Sequence, residues 1–150
     1  EYKVLDKEVD DTIYYDLEID TSQVVETLQE LEKYEPFGEG NPKPVFLVKN
    51  FVLYPKYGSF YRVMGDQDQH IKLFGENVDG LGFDKTMEYL NENEPKTMNL
   101  VGTLSTNFFM GTITPQVDFM DFEDNSKEKM SPLAKLLEKR KNDIRKKTLV

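Results

Sequence analysis

The sequence contains one histidine, His70, and no cysteine. Disulfides, thiolate metal sites and cysteine nucleophiles are therefore excluded, and a metal site would have to be built largely from carboxylates. The 28 Asp and Glu residues fall mainly in turns and on exposed strand positions, without ligand spacing. "GDQDQ", residues 65–69, opens like a calcium loop but lacks the glycine and terminal glutamate at the required offsets. So many acids supply countless pairs that a glycosidase-type carboxylate pair carries no information. Neither GxSxG nor GxxxxGK[ST] occurs. "GLGF", Gly80 to Phe83, has no adjacent basic residue or long helix to make a phosphate site, and reads as barrel-strand glycine. The expectation is no catalytic residue and no metal ligand.

Binding chemistry is better represented. In "QHIKLFG" the residues His70, Lys72 and Phe74 share one strand face and Ile71 and Leu73 the other. With the aliphatic pair inside, a cation beside an aromatic ring is left facing out. Single-stranded nucleic acid uses that combination, stacking bases on rings while cations meet phosphates; an ordinary solvated strand face gives the same pattern. Tyr61 and Arg62 in "SFYRV" take opposite faces. "STNFFMGTI" predicts a hairpin over Asn107 to Gly111, with Phe108 or Phe109 exposed and at least one of them in the core. Candidate contacts for a single strand are Lys49, Tyr61, Arg62, His70, Lys72, Phe74 and Phe108, with Lys49, Arg62 and Lys72 converging from adjacent strands.

The elements that must position these residues fall into zones. "TIYYDLEI" alternates like a strand, and "DTSQVVETLQELEKY" places Val24, Leu28 and Leu31 at helical spacing. Asp20 or Thr21 caps this helix, with Gln23 as a capping-box partner of Asp20; Pro36 ends it. One strand and one helix bury too little to fold alone, so residues 1–35 read as the edge of an α/β domain lying upstream. Residues 36–44 hold three prolines and two glycines, which predicts an ordered, non-helical connector. Residues 45–124 read as short alternating runs: five strands, the first long and bent near Pro55 to Gly58. A short helix, with Met87 and Leu90 at helical spacing and Asp84 as cap, lies between the third and fourth. That is the order of an OB-fold barrel, although a small sandwich gives a similar pattern. Residues 125–150 predict a basic helix starting at Ser131-Pro132, with Leu133, Leu136, Leu137 and Ile144 as a narrow apolar stripe. The fold class is mainly β with flanking helices.

Net charge is −9, unevenly spread. Ser126 to Val150 holds nine basic against three acidic residues, a net of +6, leaving −15 on Glu1 to Asp124. Residues 45–124 hold 6 Lys or Arg against 12 Asp or Glu, an unfavourable balance for a phosphate ligand. No apolar run approaches the length of a bilayer span, and the acidic start is unlike a secretory signal; the expected setting is cytoplasmic, without membrane partners. Because the chain begins with Glu1, it is expected to be a piece of something longer.

"LEKYEPFGEGNPKPVF" resembles the segment by which RecJ-type single-strand-specific DNA exonucleases pass from their DHHA1 domain into their OB-fold domain, a Pro-Phe-Gly-x-Gly-Asn-Pro-x-Pro-x-Phe pattern. "QHIKLFG", "VDGLGF", "LSTNFFMG" and "PQVDFMDFE" follow in the family's order, so the resemblance covers about residues 19 to 123. It implies that residues 1–35 are the end of DHHA1 and that the OB domain guides a single strand to a catalytic domain. It further implies a parent acting 5′-to-3′ in DNA repair and recombination, with manganese or magnesium in the parent's site. The family's Asp-His-His motif is missing from this sequence, so no cofactor and no nuclease activity are expected of this piece alone. The alternative is a protein-interaction OB module that docks another repair protein or the parent's catalytic core; an independent hydrolase ranks below both.

Overall fold

The computed structural model describes residues 3–5, 13–126, 131–134, 136, 137 and 139–141. Lys3–Leu5 (β1) and Ile13–Tyr15 (β2) pair antiparallel as a separate two-stranded sheet. Leu17–Asp20 (β3) leads into a 3-10 turn and the helix Val24–Leu31 (α1). The expected single strand "TIYYDLEI" is thus split at Asp16. Asp16 accepts from the Val45 amide through its carboxylate at 2.8 Å and donates its own N–H to the Val45 carbonyl at 2.7 Å. Asp20 caps the helical segment: its carboxylate accepts from Ser22 N–H, and the Gln23 side chain accepts from Asp20 N–H at 2.8 Å. Pro36–Pro44 is ordered without helix. Gly38 and Asn41 exchange two backbone bonds, and the Asn41 amide donates to the carbonyls of Tyr34 and Pro36 at 3.0 and 2.9 Å.

Phe46–Val52 (β4), Tyr61–Met64 (β5), His70–Leu73 (β6), Asp79–Gly82 (β7), the helix Thr86–Asn91 (α2), Thr97–Phe109 (β8) and Thr112–Asp124 (β9) complete the order. The main sheet has seven strands, β3-β4-β8-β9-β7-β6-β5, and is open as a hydrogen-bonded ladder. The expected mainly β, OB-type order is present, but with more strands than five and with an open ladder, for two reasons. The predicted bent first strand is interrupted, becoming β4 and β5, and β3 adds a parallel partner along β4. The two ends of the OB portion of the ladder, β4 and β5, therefore belong to one bent strand. They are brought together by an isolated Leu53–Gly75 bridge, a bond from Tyr54 N–H to the Phe74 carbonyl and another from Phe74 N–H to the Phe60 carbonyl.

The larger of two apolar clusters among the described residues fills the curved sheet. Val48, Phe51, Ile71, Leu73, Leu100 and Val117 are fully buried, and Ile19 of β3 and Val24 of α1 belong to the same cluster. Gly80 and Gly82 face this core as strand glycines; a Cβ on Gly82 would lie 2.4 Å from the Phe119 ring. The short helix α2 is present, but Tyr89 and Thr86 are its buried residues, whereas Met87 and Leu90 are exposed. Tyr89 plugs the barrel end because its ring meets Tyr61 and Phe122 while its hydroxyl donates to the Pro95 carbonyl at 3.0 Å. The N-cap is Lys85 rather than the expected Asp84, whose positive φ of 59° places it in the preceding turn.

In the basic tail, residues 132–134, 136, 137 and 139–141 are helical and Ala134 N–H donates to Ser131 Oγ at 3.1 Å, as a serine cap should. Leu133, Leu136 and Leu137 are exposed; Ile144 lies outside the described residues. None of the helices in the described residues is long and apolar enough to cross a membrane.

Candidate nucleic-acid interface

The outer face of β5, β6 and β7 carries the groove of interest. Cross-strand pairing sets Arg62 opposite Lys72 and Lys72 opposite Leu81, so these side chains form one row across three strands. β8 and β9 supply the opposite wall. β4 pairs with β8 only as far as Gly102, and β7 reaches β9 only from Gln116, so residues 106–109 and 112–115 pair solely with each other as a projecting hairpin arm. Its turn, Met110-Gly111, has φ of 50° and 82°, the two positive values a tight hairpin turn requires. Thr97 to Val117, between Lys96 and Asp118, contains no charged residue.

Between the arm and the three strands lies a groove of about 640 Å³. Among the described residues, its cations are Lys56, Arg62 and Lys72 and its one carboxylate is Asp79; Tyr57, Phe74, Phe109 and Met110 supply apolar surface, and Asn107 and Gln116 supply amides. Tyr57 stands at the apex of a tight turn between Lys56 and Ser59, with φ of 55° followed by Gly58 at 77°, and is 92% exposed. Asp79 is buried; its Oδ1 accepts from Gly75 N–H at 3.1 Å and from Lys56 Nζ at 3.1 Å, and its Oδ2 lies 3.9 Å from Lys72 Nζ. An acidic domain thus presents three cations against one carboxylate at this surface, with exposed rings alongside.

Of the expected contacts, Arg62, Lys72 and Phe74 come together here. Phe74 is only 5% exposed and forms the floor, edge-on to Tyr57 at 6.2 Å; it is not the exposed ring expected. It is buried because it lies just past the end of β6, where the bent first strand folds over it. Phe108 and Phe109 are 71% and 60% exposed, so neither is core. The arm carries both beyond the barrel, and it is Phe109, on the face shared with Asn107, that lines the groove. Lys49 lies on β4 beside Asp20 of β3, outside the groove, so the expected convergence of Lys49 with Arg62 and Lys72 does not occur. Tyr61 faces inward opposite Leu73 and donates its hydroxyl to Glu94 at 2.6 Å. That hydrogen bond, with burial and the nearby charge adding to it, raises the Tyr61 phenol above its ordinary pKa. Burial, reinforced by the charge of Glu94, raises Tyr89 further. His70 sits at the other end of β6: its Nδ1 accepts the Asp84 amide at 3.0 Å and its ring meets Phe83 edge-on at 5.1 Å. It pins the turn before α2 and does not line the groove.

Lys56, Tyr57 and Asp79 are groove residues that sequence reasoning misses, and Phe109 is the alternative to Phe108 that the hairpin pattern leaves open. The Tyr-Gly pair at residues 57 and 58 was the available signal, since an aromatic residue at a tight-turn apex is solvent-facing. Among the described residues, no group of three or more His, Asp or Glu side chains is arranged to hold a metal ion.

Residues 15–121 match the RecJ OB domain family. The chain belongs to that family. Similar solved structures include RecJ from Thermus thermophilus in complex with Mn2+ and the same protein in complex with Mg2+. Each is 26% identical with a TM-score of 0.49 over 72% of this chain. The chain spans only 15% and 16% of the lengths of those two RecJ chains. No curated protein sequence matches it.

Proposed function

We propose that this RecJ OB domain is the single-strand-binding module of a 5′-to-3′ DNA exonuclease acting in repair and recombination, and that its groove guides DNA toward a catalytic domain outside this chain. The manganese or magnesium of the reaction would be held by that catalytic domain, and Leu17 to Tyr34 would lie at the seam between the two. The observation that carries the reading is the groove itself: three cations and two exposed rings gathered on the β5-β6-β7 face and arm of a chain whose net charge is −9. In OB folds this face and the last hairpin are the places where oligonucleotides lie, and rings with cations along a groove suit a sequence-tolerant single strand.

The test is fluorescence anisotropy of labelled oligothymidine with the 150-residue protein across a salt series. Three phosphate contacts give a slope of log K against log salt of about −2, and Arg62→Ala brings it nearer zero by about 0.7. A variant with Gln at Lys139, Arg140 and Lys141 binds as the wild type. Absence of binding at low salt, or binding lost only in the tail variant, would overturn the proposal.

The protein-docking reading is favoured by a different surface. An apolar hollow of about 400 Å³ lies between α1 and the connector, lined by Leu17, Leu31, Tyr34, Phe37, Pro42 and Pro44 with Glu30 among them. We take it as the seat of the parent's preceding domain. Adding that domain in trans should protect Tyr34 and Phe37 from solvent in a hydrogen-exchange or labelling experiment.

A further inference from the structure

We infer that Asp79 is a positioning residue that sets Lys56 and Lys72 for phosphate; this rests on the single-strand reading of the groove. A buried carboxylate amid phosphate-binding lysines is at first sight misplaced, because it lowers the local positive charge that attracts a polyanion. Its surroundings argue otherwise. Asp79 is 4% exposed and opens β7. Its Oδ1 is fixed by Gly75 N–H at 3.1 Å. The turn carrying that amide is itself tight, since a Cβ on Gly75 would lie 2.0 Å from the Val78 carbonyl oxygen. A carboxylate held from the backbone in this way is a rigid acceptor. Lys56 donates to it at 3.1 Å from the bent first strand, and Lys72 approaches at 3.9 Å from β6.

Each ammonium has three donors, and one acceptor leaves donors for a phosphate. Lysine is a flexible, strongly hydrated charge whose ordering costs rotamer freedom. Tethering two lysines before the ligand arrives removes part of that cost from binding. The Lys72 side chain is only 12% exposed, so without Asp79 a nearly buried cation would lose its counter-charge and leave the groove floor.

The test separates geometry from charge because the two predict opposite signs. Asp79→Asn adds one positive charge to the groove. If Asp79 positions the lysines, oligothymidine affinity falls about five- to tenfold while the salt slope stays near the wild-type value. If Asp79 only competes with phosphate, affinity rises, and the inference is overturned. A second readout needs no ligand. In 15N spectra of lysine side chains, Lys56 and Lys72 of the wild-type protein give ordered ammonium signals that sharpen to mobile ones in Asp79→Asn. Freely mobile signals in the wild type overturn the inference even if Asp79→Asn does not fold. Should wild-type protein fail to bind oligothymidine while those signals are ordered, the single-strand reading fails and the positioning of the lysines stands.

Discussion

Tyr57 and Phe109 reach the same groove from unrelated parts of the chain, a turn apex and a hairpin arm. Stacking on a ring is worth about 1–3 kcal/mol per base, so Tyr57→Ala and Phe109→Ala should each weaken oligothymidine binding roughly five- to hundredfold, measured by anisotropy. Phe108→Ala, on the far side of the arm, should leave the affinity unchanged. Neither loss should lower the thermal midpoint appreciably, because both rings are exposed. The contrast is a lesson in what alternation conveys. The period-2 pattern of "QHIKLFG" assigned Ile71 and Leu73 to the core and Lys72 to the outer face, and the structure agrees. It misled at Phe74, the first residue beyond the strand, where the rule no longer applies. It was silent on Tyr57, which owes its exposure to a turn.

At the scale of elements, two local devices are open to measurement. The Asp20 cap was legible because capping boxes are short-range, with all partners within three residues. Its carboxyl is held below the usual value by the Asn50 amide first and by Ser22 second. A depressed pKa in the folded state means the stabilisation is complete above the unfolded value and disappears as pH falls through the folded one. Asp20→Ala should therefore cost about 1 kcal/mol at pH 7, with the gap from wild type closing as urea titrations move below about pH 4. The second device is the irregularity of β8 and β9 at Val101 and Gly102. A Cβ on Gly102 would meet the Asp118 carbonyl oxygen at 2.1 Å, so Gly102→Ala should destabilise by about 1–3 kcal/mol. Strand identities were readable from composition, but this bulge was not. It depends on which residues of β9 arrive opposite, and pairing partners far apart in sequence leave no local signature.

For the molecule as a whole, a buried amide cluster joins three regions that the sequence separates. The Asn99 side chain accepts from Asn50 N–H at 3.1 Å and from the Asn125 amide at 3.0 Å, and donates to Glu123 at 2.8 Å; Asn50 in turn donates to Asp20 at 2.7 Å. It ties the capped 3-10 turn that precedes α1 to the irregular part of β4 and to the end of β9. Asn99→Leu strands several of these groups and should cost about 2–4 kcal/mol in urea unfolding. Nothing in the isolated residues announces the cluster, since asparagine ordinarily signals a turn and Asn50 and Asn99 lie within β4 and β8. The bent first strand has a wider consequence. Its halves form the two ends of the OB portion of the ladder, so that portion is a ribbon whose opposite borders are one continuous thread. Such a ribbon can draw shut only after the distant rungs between β4 and β8 are in place. The seam at Leu53 and Gly75, one bridge wide, should be where the native state breathes first. The Tyr54 amide should then exchange with deuterium well before that of Val48, and faster still when a nick between Lys56 and Ser59 makes the two borders separate threads.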